Sequence, residues 1–182
     1  MKAHRLPSFA DERAHTLHVI VETPRGSRNK YDYDGELELF RLAGSLPAGS
    51  TFPFDFGFVP STLAEDGDPL DVLLLLDDAA IQGCLVEARL LGVVEAEQTE
   101  DGETTRNDRL IAVDVKSHLY RETKSLDDLG EPLVEGIIHF FVSYSEFKGK
   151  TFTPLGRYDA KRALALVHAS KPQLRKDARK KR

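Results

Sequence analysis

The hydrophobic pattern of the chain changes its period once, near Lys124, and this change limits the folds that the sequence can adopt. Before Lys124, short apolar runs between turn residues predict strands over residues 17–21, 72–76, 85–94 and 110–115, with a hairpin over 31–40. After Lys124, a spacing of about 3.6 residues predicts helices over residues 133–144 and 159–170. Strands followed by helices are typical of a mainly β, α+β fold. Residues 95–108 are predicted to form a polar, acidic connection.

No internal repeat or low-complexity linker divides the chain, and 182 residues are enough for one substantial core. We therefore predict a single domain over residues 1–170 and a basic C-terminal tail over residues 171–182. The tail carries seven Lys or Arg against one Asp. A solvated helix end is the first interpretation of the tail, and packing on an acidic neighbouring subunit or anion binding are the alternatives.

The charge and the cysteine content limit the partners and the cellular location that the sequence predicts. Outside the tail there are 18 basic and 29 acidic residues, a net charge of −11, which argues against nucleic-acid binding because that needs clustered Lys and Arg. The sequence predicts no membrane span and no secretory signal. Cys84 is the one cysteine, and a lone thiol fits a reducing compartment, so we predict a cytoplasmic location.

An acidic turn lies immediately before the apolar run of residues 72–76. Asp66, Asp68 and Asp71 stand within six residues, while Gly67 permits a tight turn and Pro69 fixes the chain. Two carboxylates about 4 Å apart repel by roughly 1 to 4 kcal/mol, so three together need counter-charge. Oxygen ligands suit Mg²⁺, Mn²⁺ or Ca²⁺. The turn therefore predicts a cation site, with a plain solvated turn as the alternative.

Two upstream segments favour the cation site. Residues 30–34 read Lys-Tyr-Asp-Tyr-Asp and residues 52–60 read Phe-Pro-Phe-Asp-Phe-Gly-Phe-Val-Pro. With the turn Asp-Gly-Asp-Pro-Leu-Asp, they resemble family I soluble inorganic pyrophosphatases in both order and spacing. The resemblance continues through residues 109–113, similar to a later barrel strand of the family, and residues 137–144, similar to its first long helix.

The resemblance implies a fold, an activity and an assembly. The implied fold is a small closed five-stranded OB-like antiparallel barrel with flanking helices. The implied activity is the metal-dependent hydrolysis of inorganic pyrophosphate to two phosphates, with Mg²⁺ as cofactor and Mn²⁺ as a substitute. Metal ions would activate the attacking water and hold the phosphate in line with it. The implied assembly is a homo-oligomer, with a hexamer favoured.

The same resemblance assigns roles to residues of this chain. Asp66 and Asp71 would bind metal, and Asp68 would orient the attacking water or take its proton. In the acidic connection, Asp101 and Asp108 are further candidate metal ligands. Phosphate-binding and cavity-lining roles fall on the cations Lys30, Arg41 and Arg109, on the hydroxyl of Tyr144, and on the carboxylates of Glu22 and Asp32.

Several positions depart from the family pattern. Phe52 and Phe56 stand where the family has tyrosines, so two hydroxyls are lost. Ser145 replaces the lysine that normally follows the helical tyrosine, and Asn107 replaces an aspartate. Arg109 replaces a lysine with a planar guanidinium of different geometry. Because these changes touch the implied substrate site, two alternatives stay open: a hydrolase of another phosphoanhydride, and a non-catalytic phosphate-binding or regulatory protein.

Overall fold

The computed structural model of the protein describes residues 3–170, and the predicted basic tail lies outside them. The helices are α1 (Glu131–Phe147) and α2 (Ala160–Ala169), with single 3₁₀ turns at Ala3–Arg5 and Asp127–Leu129. The strands are β1 (Phe9–Asp11), β2 (Thr16–Thr23), β3 (Asn29–Asp34), β4 (Leu39–Ser45), β5 (Asp55–Phe58), β6 (Asp71–Leu75), β7 (Leu85–Glu100), β8 (Glu103–Arg106), β9 (Arg109–Asp114) and β10 (Thr151–Asp159).

Five strands close into a ring. β2 pairs with both β5 and β7, and the pairings β5–β6, β6–β9 and β9–β7 complete the circuit. This ring confirms the predicted OB-like barrel with helices at its side. One pairing differs from the prediction: β6 and β9 run parallel, while the other pairs in the ring are antiparallel. The two strands run parallel because β7, which is antiparallel to β9, carries the chain between them.

The apolar run after the acidic turn is explained by burial on both faces of β6. Val72 and Leu74 pack in a core cluster that includes residues of α2, while Leu73 and Leu75 pack in a second cluster that includes residues of α1. A strand that is covered on both sides has no solvent face and therefore shows no alternation of apolar and polar residues. This packing fixes the start of β6, and with it Asp71, against the body of the protein.

The prediction of a polar connection over residues 95–108 is wrong. β7 continues to Glu100, and β8 returns beside it with Glu100 opposite Glu103. Asp101 and Gly102 form the two-residue turn, with φ angles of 51° and 83°. Asp-Gly with positive φ at both positions is a favoured hairpin turn. The hairpin projects from the barrel, so its exposed side chains are polar and hide the strand pattern.

The remaining elements flank the barrel. The predicted hairpin over residues 31–40 is present as β3 and β4, which form a separate two-stranded sheet. Both predicted helices are present, and α2 begins after Asp159, whose side chain accepts a hydrogen bond from the Arg162 amide at 2.9 Å. β1, β5 and β10 were not anticipated; β10 pairs with β7. Between residues 3 and 170, no helix is both long enough and apolar enough to cross a membrane.

Candidate active site

A cavity of about 1040 Å³ opens where several parts of the chain meet beside the barrel. Its walls come from the segment between β5 and β6, the region of β2 and β3, the β7–β8 hairpin and the C-terminal end of α1. Most residues that were predicted to act together line it. They are Glu22, Lys30, Asp32, Asp66, Asp68, Asp71, Asp101, Arg109 and Tyr144.

The acidic turn is held by its own backbone. Asp66 Oδ1 accepts a hydrogen bond from the Asp68 amide at 3.2 Å, and the Ala64 amide donates to the Asp68 carbonyl at 2.7 Å. Gly67, with φ of 92°, makes the reversal possible. No donor within residues 3–170 bonds to the carboxylate of Asp68. The turn therefore presents Asp68 to the cavity with its oxygen atoms available.

The carboxylates of the turn repel one another. Burial raises the pKa of Asp68 above its usual value, and the neighbouring Asp66 and Asp32 raise it further. Burial also raises the pKa of Asp71; Arg109 and Lys30 oppose this shift, while Asp66 and Asp68 add to it. A cation bound among these groups would relieve the repulsion.

Lys30 and Glu22 form a buried pair at the base of the cavity. Lys30 Nζ lies 3.5 Å from Glu22 Oε2 and donates to the Tyr31 carbonyl at 2.8 Å. It also pairs with Asp32 and lies 4.7 Å from the centroid of the Phe56 ring. Burial raises the pKa of Glu22 to about 7. Burial would lower the pKa of Lys30, but Glu22 and Asp32 outweigh it, so the net shift is upward and the ammonium stays charged.

Arg109 is buried and engaged by oxygen atoms on two sides. Its Nη1 donates to the Asp71 carboxylate and to the Asn107 side-chain carbonyl. The Asn107 amide in turn donates to Gln98 Oε1 at 3.2 Å. The guanidinium carbon lies 5.2 Å from the centroid of the Phe141 ring, within cation–π range. Arg109 thus supplies much of the positive charge that balances Asp71.

Two predicted site residues lie outside the cavity lining. Arg41 Nη1 lies 3.3 Å from Asp34 Oδ2, and its side chain is 70% exposed, so the structure does not bring it to the site. Asp108 Oδ1 accepts hydrogen bonds from the Ala96 amide at 3.0 Å and from Arg106 at 2.9 Å. Its neighbour Asn107 faces the cavity instead. Adjacent residues of an extended segment point to opposite sides, which accounts for the placement of Asp108.

The cavity also contains residues that the sequence analysis missed. Gln98 lies on β7, and its amide contact with Asn107 places two neutral side chains on the hairpin wall. Lys148 and Lys150 follow α1 and line the same space. The signal for Lys148 was its spacing of four residues from Tyr144, which puts the two side chains on one side of a helix. The five positions that depart from the family pattern also line the cavity: Phe52, Phe56, Asn107, Arg109 and Ser145.

The donor chemistry of the turn fits a hard divalent cation, although its side chains are not gathered as ligands. Among residues 3–170, no three His, Cys, Asp or Glu side chains are grouped closely enough to hold a metal ion. However, Asp66, Asp68 and Asp71 share one short segment; Asp66 raises the pKa of both Asp68 and Asp71, and Asp68 raises the pKa of Asp71. Carboxylate oxygens are the ligands that Mg²⁺ prefers. The acidic turn therefore supplies candidate ligands for Mg²⁺, and Asp101 lines the same cavity.

The fold and the cavity together define an OB-like barrel protein with a side pocket that is lined by both carboxylates and cationic side chains. The comparisons with known proteins identify the family. The chain belongs to the inorganic pyrophosphatase family, whose model matches residues 19–175. This membership confirms the resemblance seen in the sequence.

The relatives are similar over nearly their whole length. The inorganic pyrophosphatase of Synechocystis sp. is 35% identical over 167 residues, which cover 92% of this chain and 95% of that protein. The crystal structure of the Thermus thermophilus inorganic pyrophosphatase is 35% identical, with a TM-score of 0.85 over 93% of this chain and 97% of that one. The Coxiella burnetii inorganic pyrophosphatase is 32% identical, with a TM-score of 0.81 over 91% and 97% of the two chains.

Proposed function

We propose that this protein hydrolyses inorganic pyrophosphate to two phosphates with Mg²⁺, and with Mn²⁺ as a substitute. The observation that carries the proposal is the meeting of the Asp66–Asp71 turn with Lys30, Arg109 and Tyr144 in one cavity of a pyrophosphatase-family fold. Pyrophosphate is a small polyanion, so its binding requires positive charge and hydrogen-bond donors near one another.

Each part of the cavity has a chemical task in this proposal. Lys30 and Arg109 place positive charge beside the phosphate oxygens, and the Tyr144 hydroxyl donates a hydrogen bond to one of them. Asp68 orients the attacking water and accepts its proton, since its carboxylate is available and its raised pKa favours taking a proton. Glu22 and Asp32 hold Lys30 in place.

Asp66 and Asp71 are the proposed ligands of Mg²⁺, with Asp101 as a further candidate at the tip of the β7–β8 hairpin. When bound, Mg²⁺ supplies Lewis-acid polarisation of the phosphate and lowers the pKa of water. The metal role predicted for Asp108 is not part of the proposal because Arg106 and the Ala96 amide already engage its carboxylate.

The test is phosphate release from pyrophosphate by the purified protein while Mg²⁺ is titrated from zero. Replacing Asp66 by asparagine keeps the oxygen that bonds to the Asp68 amide but removes the charge. We expect Mg²⁺-dependent release by the wild type, and a half-saturating Mg²⁺ concentration at least about tenfold higher for Asp66→Asn. No release by the folded wild type at any Mg²⁺ concentration would reject the proposed activity.

The departures from the family pattern favour one second candidate, a hydrolase of a different phosphoanhydride. Phe52, Phe56 and Ser145 line the cavity without the hydroxyl or ammonium groups of the family pattern. A panel of pyrophosphate, inorganic triphosphate and a nucleoside triphosphate, each with Mg²⁺, separates the candidates by kcat/KM. A higher value for either larger anhydride would favour the second candidate. Binding without turnover of any of them would indicate a phosphate-binding or regulatory role.

We also infer from the family resemblance that the protein is a homo-oligomer, with a hexamer favoured, and that it acts in the cytoplasm. Light scattering coupled to size-exclusion chromatography measures the mass in solution directly. A mass about six times the chain mass of 20.3 kDa is expected. A mass equal to that of one chain would contradict the inferred assembly.

A further inference from the structure

The positive charges in the cavity are not equally available to a substrate. Lys30 is paired with Glu22 and Asp32, and Arg109 is paired with Asp71. Lys150 Nζ lies 2.6 Å from Glu100 Oε2, so that lysine is also engaged by a carboxylate. An anion must compete with these carboxylates for the same hydrogen-bond donors.

Lys148 lines the same cavity, but the surroundings of its ammonium group differ from those of Lys30, Arg109 and Lys150. Within residues 3–170, no carboxylate oxygen lies within 4.0 Å of its ammonium group. The ammonium lies 5.4 Å from the centroid of the Tyr144 ring, within the range of a cation–π contact. A ring attracts the charge without neutralising it, so Lys148 keeps a full positive charge and its N–H donors for an anion.

The position of Lys148 is fixed by the end of α1. Its amide donates to the Ser145 carbonyl at 2.9 Å, and Gly149, with φ of 76°, turns the chain out of the helix. Lys148 is three residues after Ser145 and four after Tyr144, and each of these spacings brings two side chains close together on a helix. Ser145 is 3% exposed and carries no charge, although it occupies the position at which the family pattern has lysine.

We propose that Lys148 is a substrate-binding residue, and that its ammonium binds a phosphate oxygen and so replaces the charge missing at Ser145. The ligand class is a phosphate-containing polyanion held beside Tyr144, so the proposal rests on the proposed function of the cavity. In this protein the lysine thus lies about one helical turn after the position at which the family pattern has it, and its ammonium group still lies next to the same tyrosine.

Replacing Lys148 by methionine tests the charge, because methionine keeps an unbranched apolar stem. We expect kcat/KM for magnesium pyrophosphate to fall by about 10- to 100-fold, the effect of losing a hydrogen bond to a charged group. Most of the change should appear in KM, since the contact exists in the bound ground state as well as in the transition state. Lys148→Arg should stay close to the wild type because it retains the charge.

The matched control is Lys161→Met on α2. Lys161 is exposed and lies outside the cavity lining, so its loss removes the same charge without removing a contact. Kinetics of this variant should equal those of the wild type. An equal loss in Lys161→Met and Lys148→Met would overturn the proposal, since it would assign the effect to net charge alone.

A rescue experiment separates a direct contact from a structural effect. Adding Ser145→Lys to Lys148→Met returns an ammonium to the neighbouring turn, and we expect KM to recover most of the way to the wild-type value. If this double variant does not fold, the contrast between Lys148→Arg and Lys148→Met decides the question. Wild-type KM in the folded Lys148→Met variant would overturn the proposal.

Binding of inorganic phosphate, measured by isothermal titration calorimetry, distinguishes failure of this inference from failure of the proposed function. If the wild type lacks hydrolysis but Lys148→Met binds phosphate at least about tenfold more weakly, the binding role stands while the activity fails. If the wild type hydrolyses pyrophosphate and Lys148→Met neither raises KM nor weakens phosphate binding, the activity stands and the inference is wrong.

Discussion

Replacing Asp68 by asparagine is expected to lower kcat for pyrophosphate by about 10²- to 10⁴-fold, the range for removal of a general base. The amide has nearly the shape of the carboxylate but cannot accept a proton from water. The Asp68 amide and carbonyl groups, which hold the turn through Asp66 and Ala64, are unchanged by the substitution. Steady-state phosphate release at saturating Mg²⁺ measures the loss, and a thermal unfolding curve checks that the variant is folded.

Glu65→Gln is the matched control for Asp68→Asn. Glu65 is an exposed acidic residue of the same segment, but it does not line the cavity. The substitution therefore removes one negative charge close to Asp68 without removing a group from the site. We expect this variant to retain wild-type kcat. Full activity in a folded Asp68→Asn variant would exclude Asp68 from proton transfer, and an equal loss in Glu65→Gln would indicate a general charge effect.

The part of the site that sequence alone could predict is the part built from neighbouring residues. Asp66, Asp68 and Asp71 fall in one turn because Gly67 and Pro69 define its backbone, and β6 follows because its residues are apolar on both faces. These are local effects of chain geometry and hydrophobic burial. The structure has both features where the sequence predicted them.

The meeting of distant segments could be expected only from the family resemblance. Lys30 reaches the cavity because β3 follows β2, which carries Glu22, while Arg109 arrives through the parallel pairing of β9 with β6. A parallel pair depends on the path of the intervening strand and has no local sequence signal. The pairing places Arg109 directly opposite Asp71, and their ion pair follows from that register.

The side-chain directions of Asn107 and Asp108, which lie between β8 and β9, have no local sequence signal for a related reason. Whether Asn107 or Asp108 faces the cavity depends on the register of a strand whose polar residues conceal its period. The structure turns Asn107 inward, and Arg106 holds Asp108 on the other side. Similarly, Arg41 has no local signal for its direction, and it pairs with Asp34 of its own β3–β4 hairpin.

Replacing Gly57 by alanine is expected to destabilise the protein by more than about 4 kcal/mol, which is exceptional for one methyl group. Gly57 lies in β5 opposite Val21 of β2, at one of the contacts that close the barrel. A Cβ atom built at this position would lie 2.1 Å from the Ile20 carbonyl oxygen, which belongs to the backbone and cannot rotate away. The two strands would have to separate, breaking their hydrogen bonds. Urea unfolding, followed by far-ultraviolet circular dichroism, measures the change.

Gly136→Ala is also a glycine-to-alanine substitution, but it is expected to raise the stability of the protein. Gly136 is an exposed residue within α1, and a Cβ atom there meets nothing within 4 Å. Alanine should stabilise the helix by about 0.5 to 1 kcal/mol because it lowers the entropy of the unfolded chain. The sign of each effect therefore depends on the backbone surroundings of the glycine.

One result would contradict the prediction for Gly57. If Gly57→Ala had the same midpoint urea concentration of unfolding as the wild type, β2 and β5 could not approach as closely as they do here. The barrel would then close by a different pairing.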